Sequence, residues 1–529
     1  MNSSFSYFLQ TSTHLRHLLL SRFPSSLHSQ PLLSFPMNFI QLLPNEIILK
    51  ILQFLHEQGD LQSIVRFLST NKTLLTSRIF FMNPIPSVSV KYTNFSILRF
   101  VRPREIVLKF TLPDIEEEAK IYKHSQIVID YDRIKSIMRN EQVERFEQVS
   151  IEVSNLSNLE NLIQCLEGKT MKNLFINRFP TEYDFGSSEA TIDLSEIKIK
   201  ETVQVLCDDR DKFIMRAPRN RFRCLYLMNY KRIWTTANFE FDVVGLKCKL
   251  LSLTGFSVCC RTISELVGVN HFRVLCFSHC GFLPCSLSED LIIGSSVRNI
   301  TFHDVWFYDN YTLTLKGVKD KPLYLDEVTF SDIKYENRKF CFPSASIKRV
   351  TITNCIDISL FSYACTPSRI GTLSLSTEET QINPRFGIHD FYVRSFVLTM
   401  KSQTFDMIIS DVNSETWSFA IIRESVTINI SDGNDTFADM KVEHFTIEMD
   451  SGTTMSLNCN ANITFDVIEL KINVKGQLDG RRVSVNFQGV KCGKMIIRGT
   501  PRDLMVPISL WLNGSEIKSI EEEGLIVKV

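Results

Sequence analysis

At 529 residues the chain is long enough for about three ordinary domains or for one extended repeat array. Hydrophobic residues at 44% and charged residues at 22% exclude a wholly disordered chain, and 14 cysteines fall well below disulfide-scaffold density. Lys plus Arg and Asp plus Glu are 59 each, so the net charge of +0 excludes a global pull onto nucleic acid or an anionic membrane, and any such binding needs a local patch. No apolar run reaches the roughly eighteen residues of a spanning helix, so no membrane partner is expected. Phe is common at 39, against 4 Trp and 20 Gly, which points to many packed strands.

Residues 1–36 contain no Asp or Glu, many Ser and Leu, and the cations Arg16 and Arg22. Two readings stay open, a disordered tail ahead of Met37 or a mitochondrial-type transit peptide. The stretch from Leu42 to Leu55 predicts a helix. Pro44 suits its first position, Glu46 complements the macrodipole, and Ile47, Ile51, Leu52 and Leu55 form an apolar face. Gly59 supplies an exit, Asp60 caps a second helix carrying Leu61, Ile64, Val65 and Leu68, and Asn71 caps a third. Three short helices over 37–82 make too small a core to stand alone.

Leu43-Pro44-x-Glu46, the helix through Ile51 and Leu55, and Asp60-Leu61 resemble the F-box. The resemblance implies binding of the Skp-type linker subunit of SCF cullin–RING ubiquitin ligases, and thereby of cullin, through Leu43, Pro44, Glu46, Ile47, Ile51, Leu55 and Leu61. Downstream the match weakens. The family often carries Val-Cys-Lys-x-Trp where this chain has Phe67-Leu68-Ser69-Thr70-Asn71-Lys72, without Trp. A helical cap sealing a repeat array is the alternative.

Residues 83–148 read as a connecting segment with possible first repeats at Ile106-Val107-Leu108 and Ile127-Val128-Ile129. Over 149–529 an apolar-x-apolar triplet recurs. It starts at Val149-Ser150-Ile151 and Leu174-Phe175-Ile176 and passes a weak copy at Val203-Gln204-Val205. It continues through Leu225, Leu251, Leu275, Ile300, Val328, Val350, Leu373 and Phe396, then Val426-Thr427-Ile428, Phe445, Ile468 and Met495. From 149 to 495 is 346 positions in fourteen steps, about 25 residues each, inside the leucine-rich-repeat range. Such triplets cannot bury their apolar pair alone and must stack on the next copy. Cys280 and Cys355 occupy the position after the strand where leucine-rich repeats place Cys or Asn.

Leu156, Leu159, Leu162, Ile163 and Leu166 predict a helical return closed by Gly168, and Thr262-x-x-Glu265 and Ser286-x-x-Glu289 read as capping boxes. After about residue 370 the returns turn polar. The expected fold is therefore an α/β repeat solenoid resembling leucine-rich repeats, more β and irregular toward the C-terminus, behind a small three-helix domain. Evenly spaced strands of a non-repeating β-rich domain are the competing reading.

Cys259, Cys260, His271, Cys276, His279, Cys280 and Cys285 form the densest reactive group, but their spacing makes no tetrahedral zinc pairs, and buried thiols are preferred. No phosphate loop or nucleophile elbow occurs, so no catalytic residue, metal or cofactor is assigned. Glu116-Glu117-Glu118 and Glu521-Glu522-Glu523 read as solvated charge runs. The strongest local basic stretch runs from Arg216 to Arg223. Its neighbours Phe222 and Tyr226 admit an RNA or phosphate reading, with a solvated loop or protein contact preferred and no nucleic acid expected. The resemblance and the array together imply a non-catalytic substrate-recognition adaptor of an SCF-type ligase, cytoplasmic or nuclear, holding an unnamed protein substrate. A repeat scaffold or ligand-binding protein without a ligase role is the alternative.

Overall fold

The computed structural model describes residues 145–153 and, apart from short connecting segments, 159–528, with two further strands at 88–90 and 108–113. All belong to one compact unit, Pro86–Val529. The expected domain over 37–82, the tail 1–36 and the triplet at Ile127 lie outside the described residues.

The unit is a parallel β-solenoid. One sheet holds eighteen strands, from Val88–Val90 to Glu516–Glu523, each paired in parallel with the next copy along the stack. A second parallel sheet of eleven strands runs from Asp290–Ile293 to Ile526–Lys528. Two three-stranded sheets accompany the earlier turns, one starting at Glu189–Asp193 and one at Ser257–Cys259. The expected α/β leucine-rich-repeat architecture is therefore corrected. The described residues contain only two α-helices, Leu159–Gln164 (α1) and Cys260–Val269 (α2), and they carry no F-box or α/β leucine-rich-repeat feature.

The repeat survives the correction of the fold. Val149 aligns with Leu174, and the column continues through Val203, Leu225, Leu251, Leu275, Ile300 and Val328. It then passes Val350, Leu373, Phe396, Trp417, Phe445, Ile468, Met495 and Ile520. Two expected copies fail. Val426-Thr427-Ile428 lies in the second sheet, and Trp417-Ser418-Phe419 holds its place in the first. The early copy is Phe110-Thr111-Leu112, whose Phe110 aligns with Val149, rather than Ile106-Val107-Leu108.

What decides between the two solenoids is the return segment. In a leucine-rich repeat it is helical, whereas here it alternates with period two. Thr312–Gly317, Asp357–Phe361, Thr404–Ser410 and Thr454–Cys459 each bury every second residue, so each is a half-buried strand. β returns appear from residue 189 and form the eleven-stranded sheet from residue 290, well before the position near 370 where the helical signal fades.

The core lies between the two sheets and is filled by aromatic columns. Phe277, Phe302 and Phe330 stack on successive turns with centroids 5.5 and 5.4 Å apart and nearly parallel planes. Phe282, Phe307 and Phe340 close on them from the facing side. Further along, Trp417, Phe419, Phe445 and Phe465 form a second aromatic cluster. One column of core positions on this scaffold repeats in every turn, which explains the high Phe content.

At the corner after the long-sheet strand the chain turns inward through Gly255, His279, Asp304, Asp332 and Asn354, all with φ between 46 and 77°. Gly, Asn and Asp tolerate this left-handed conformation at least cost. The next residue, Phe256, Cys280, Val305, Ile333 or Cys355, is buried. The Cys280 thiol donates to the Ser278 carbonyl at 3.3 Å and the Cys355 thiol to that of Thr353 at 3.3 Å.

Each α-helix precedes a second-face sheet and covers its opening edge. Glu160 of α1 accepts the Thr191 N–H at 2.9 Å, and Ser264 of α2 accepts that of Ile292 at 2.8 Å. Exposed edge groups would otherwise be free to pair with another chain. Ile263, Leu266 and Val267 bury the inner face of α2, and buried Asn270 ends it by donating to the Leu266 carbonyl at 2.8 Å. The predicted capping box is displaced. Thr262 lies inside α2, which starts at Cys260 straight out of the strand Ser257–Cys259 and has no side-chain cap. Ser286 and Glu289 lie outside the described residues.

Candidate basic interface on the long sheet

The long sheet begins each turn with a small irregularity. Arg273 and Val274 both donate to the Lys249 carbonyl, at 2.9 and 2.8 Å, and Arg298 and Asn299 both donate to that of Arg273, at 2.8 and 3.1 Å. Two residues thus face one, as in a β-bulge. The extra residue points outward in register with its counterparts above and below.

Elsewhere along this column the outward charges pair across turns. Lys172 meets Glu201 at 3.6 Å, Lys348 meets Asp326 at 2.7 Å and Arg394 meets Glu415 at 3.4 Å. Four successive turns break the pattern with Arg223, Lys249, Arg273 and Arg298. No ion pair involves any of the four among the described residues. The Arg298 guanidinium donates to the Tyr324 carbonyl, at 3.0 Å.

A second column runs beside the first. Lys247 bridges to His271 in parallel, and three turns repeat one unit: Arg221-Phe222-Arg223, Lys247-Cys248-Lys249 and His271-Phe272-Arg273. The middle residue is buried in each, while the flanking basic residues are exposed. A strand places alternate residues on opposite faces, so one buried residue between two outward ones sets two basic side chains on each of these turns. Cys248, Lys249, His271, Phe272, Arg273, Ser296 and Arg298 line a shallow depression of about 330 Å³ on this face. At roughly 4.8 Å per strand the column spans about 14 Å from Arg223 to Arg298.

The expected Cys/His group is dispersed by the fold. Cys280 sits wholly inside, its thiol pushed up to about 12 by burial. Cys276 faces outward from the long sheet, and burial raises its thiol as well. Cys259 and Cys260 are buried at the start of α2, His271 belongs to the basic columns, and His279 stands at the corner with its Nδ1 2.8 Å from an Asp304 carboxylate oxygen. Cys285 is outside the described residues, and among those described no three His, Cys, Asp or Glu side chains converge on a metal position.

Of the stretch Arg216–Arg223, Arg221 and Arg223 enter the band, while Arg216 ends the strand Lys212–Arg216. Phe222 is buried and offers no ring to a base. Tyr226 is half-buried beside Cys224, and its phenol is raised by burial and by that thiol. Sequence reading found only the first turn of this band, because its other members sit about 25 residues apart and meet only through stacking. The linker-binding set, Leu43, Pro44, Glu46, Ile47, Ile51, Leu55 and Leu61, lies outside the described residues. A second charged spot surrounds Glu469, whose carboxylate is nearly buried 3.0 Å from Arg498 and within 3.7 Å of Lys471 and His444. There the charges are already matched.

Comparison with protein-family models, with curated proteins and with solved structures returns no match.

Proposed function

We propose that the chain is a recognition protein whose β-solenoid holds a protein partner on the basic band, and that residues 43–61 deliver that partner to an SCF-type cullin–RING ligase through a Skp-type linker. The carrying observation is the band itself, with four outward cations on consecutive turns, none of them in an ion pair among the described residues, on a chain of zero net charge. Stacked like charges repel and contribute nothing to folding, so a partner that neutralises them is the reading that accounts for them. In this role the protein forms and breaks no bonds. The linker half rests on the sequence pattern around Leu43-Pro44-x-Glu46.

The test is capture of the full chain by purified linker subunit, compared with a Pro44→Ala/Ile51→Asp variant. Capture of wild type alone supports the adaptor role. Equal capture of both, or of neither, removes it and leaves a binding scaffold with no ligase role.

A further inference from the structure

We propose that the basic band recognises an acidic protein segment, a run rich in Asp and Glu laid in extended form along the stacking axis. The proposal rests on the reading of the solenoid as the arm that holds a protein, and it adds the chemistry of what is held.

Three observations carry it. The first is charge. Neighbouring cations in the column lie well inside the Debye length of about 8 Å at physiological salt, so they act on a ligand together and repel one another in its absence. The carboxylates that border the column at its two ends, those of Glu201 and Asp326, are already paired, with Lys172 at 3.6 Å and with Lys348 at 2.7 Å.

The second is spacing. An extended peptide presents same-side groups roughly every 6.8 Å, twice the rise of a strand, so about three carboxylates fit along the column. The adjacent Lys247 and His271 supply donors for groups that miss it. Lys and Arg side chains are long enough to absorb the mismatch between the two repeats.

The third separates a peptide from a nucleic acid. Binding of single strands without sequence preference combines a basic groove with rings on which successive bases stack. Here Phe222 and Phe272 are buried at 1% and 0% exposure. Among the described residues one exposed ring, that of Tyr324, borders the far end, which does not make a succession of platforms.

The experiment is fluorescence anisotropy on the full chain with three labelled probes: a short Asp/Glu-rich peptide, its Asn/Gln counterpart, and a single-stranded oligo-uridine of equal charge. The acidic peptide binds wild type, and its affinity falls as salt rises. Lys249→Glu with Arg273→Glu weakens it at least about tenfold through like-charge repulsion. Lys249→Arg with Arg273→Lys retains binding, and Arg369→Glu, on an exposed position of another turn, leaves it unchanged. Should the double charge reversal fail to fold, the single variants Lys249→Gln and Arg273→Gln are read instead, each lowering affinity and flattening its salt dependence. Absence of binding to the acidic peptide overturns the proposal. So does binding indifferent to these substitutions, equal binding of the Asn/Gln peptide, or tighter binding of oligo-uridine. Linker capture is scored separately. Loss of peptide binding with capture intact sinks only this inference, and loss of capture with peptide binding intact sinks only the ligase role.

Discussion

The Ser264 hydroxyl accepts the Ile292 N–H at 2.8 Å while donating to the Cys260 carbonyl at 2.7 Å. One side chain thus joins α2 to the first strand of the eleven-stranded sheet. Ser264→Ala leaves the Ile292 N–H without its partner at a half-buried site, a loss of about 1–3 kcal/mol. Arg261→Ala removes an exposed ion pair with Glu265, a loss of about 0.5 kcal/mol or less. Denaturant melts of the two variants should differ in that order.

Phe302 touches Phe277, Phe282, Phe330 and Phe340 and is wholly buried. Phe302→Ala should cost about 3–5 kcal/mol, because the stacked turns above and below are held by their own backbone bonds and cannot collapse into the space. Phe302→Leu should recover most of it. Equal midpoints for wild type and the Ala variant would contradict a continuous aromatic column.

The thiols of Cys280 and Cys355 are pushed up to about 12 by burial. The thiolate is the nucleophile, so both should resist alkylation in the native protein near neutral pH and react on unfolding. Outward-facing Cys276 and Cys224 are half-buried and should label first. Mass mapping after a short alkylation pulse gives the order, and early labelling of Cys280 would contradict the corner geometry.

The Lys348 ammonium, hydrogen-bonded at 2.7 Å, holds the Asp326 carboxyl below the ordinary aspartate value, with smaller help from Arg298 and Arg273. A carboxyl depressed on folding contributes stability that is present above its unfolded value and is lost as pH falls through the folded one. The melting-temperature gap between wild type and Asp326→Asn should therefore hold from neutral pH to about pH 4 and close below it. A gap that widened on acidification would have the wrong sign.

The repeat was legible because its signal is local. Leu275-x-Phe277 and Val350-x-Ile352 announce a buried pair wherever they occur, and the 25-residue step follows from reading them in order. The second sheet was hidden because its strands alternate just as visibly. Leu313-Thr314-Leu315 and Ile358-Ser359-Leu360 lie between the first-sheet copies, and Val426-Thr427-Ile428 passed for one of them. Had both sets been taken as strands, two per turn, the helical return would have had no room. The basic band was legible only at Arg221 and Arg223. Lys249 and Arg273 are unremarkable in sequence and become neighbours only when turn stacks on turn. At the positive-φ corners Gly255 and Asn354 suit the conformation by residue type, whereas at His279 a neighbouring Asp304 carboxylate accompanies it.

The last long-sheet strand, Glu516–Glu523, changes the inner column from Ile497 to Glu522 and sets Glu521 beside Lys494. A parallel stack grows by adding in-register strands, and nothing in its backbone says when to stop. The Glu522 carboxylate, at the position that the earlier described turns fill with Leu, Ile, Val or Phe, would be buried by a further layer. A charge at that position disfavours the stacking of another in-register strand on Glu516–Glu523, and Glu521→Thr with Glu522→Ile should raise concentration-dependent self-association, read by light scattering.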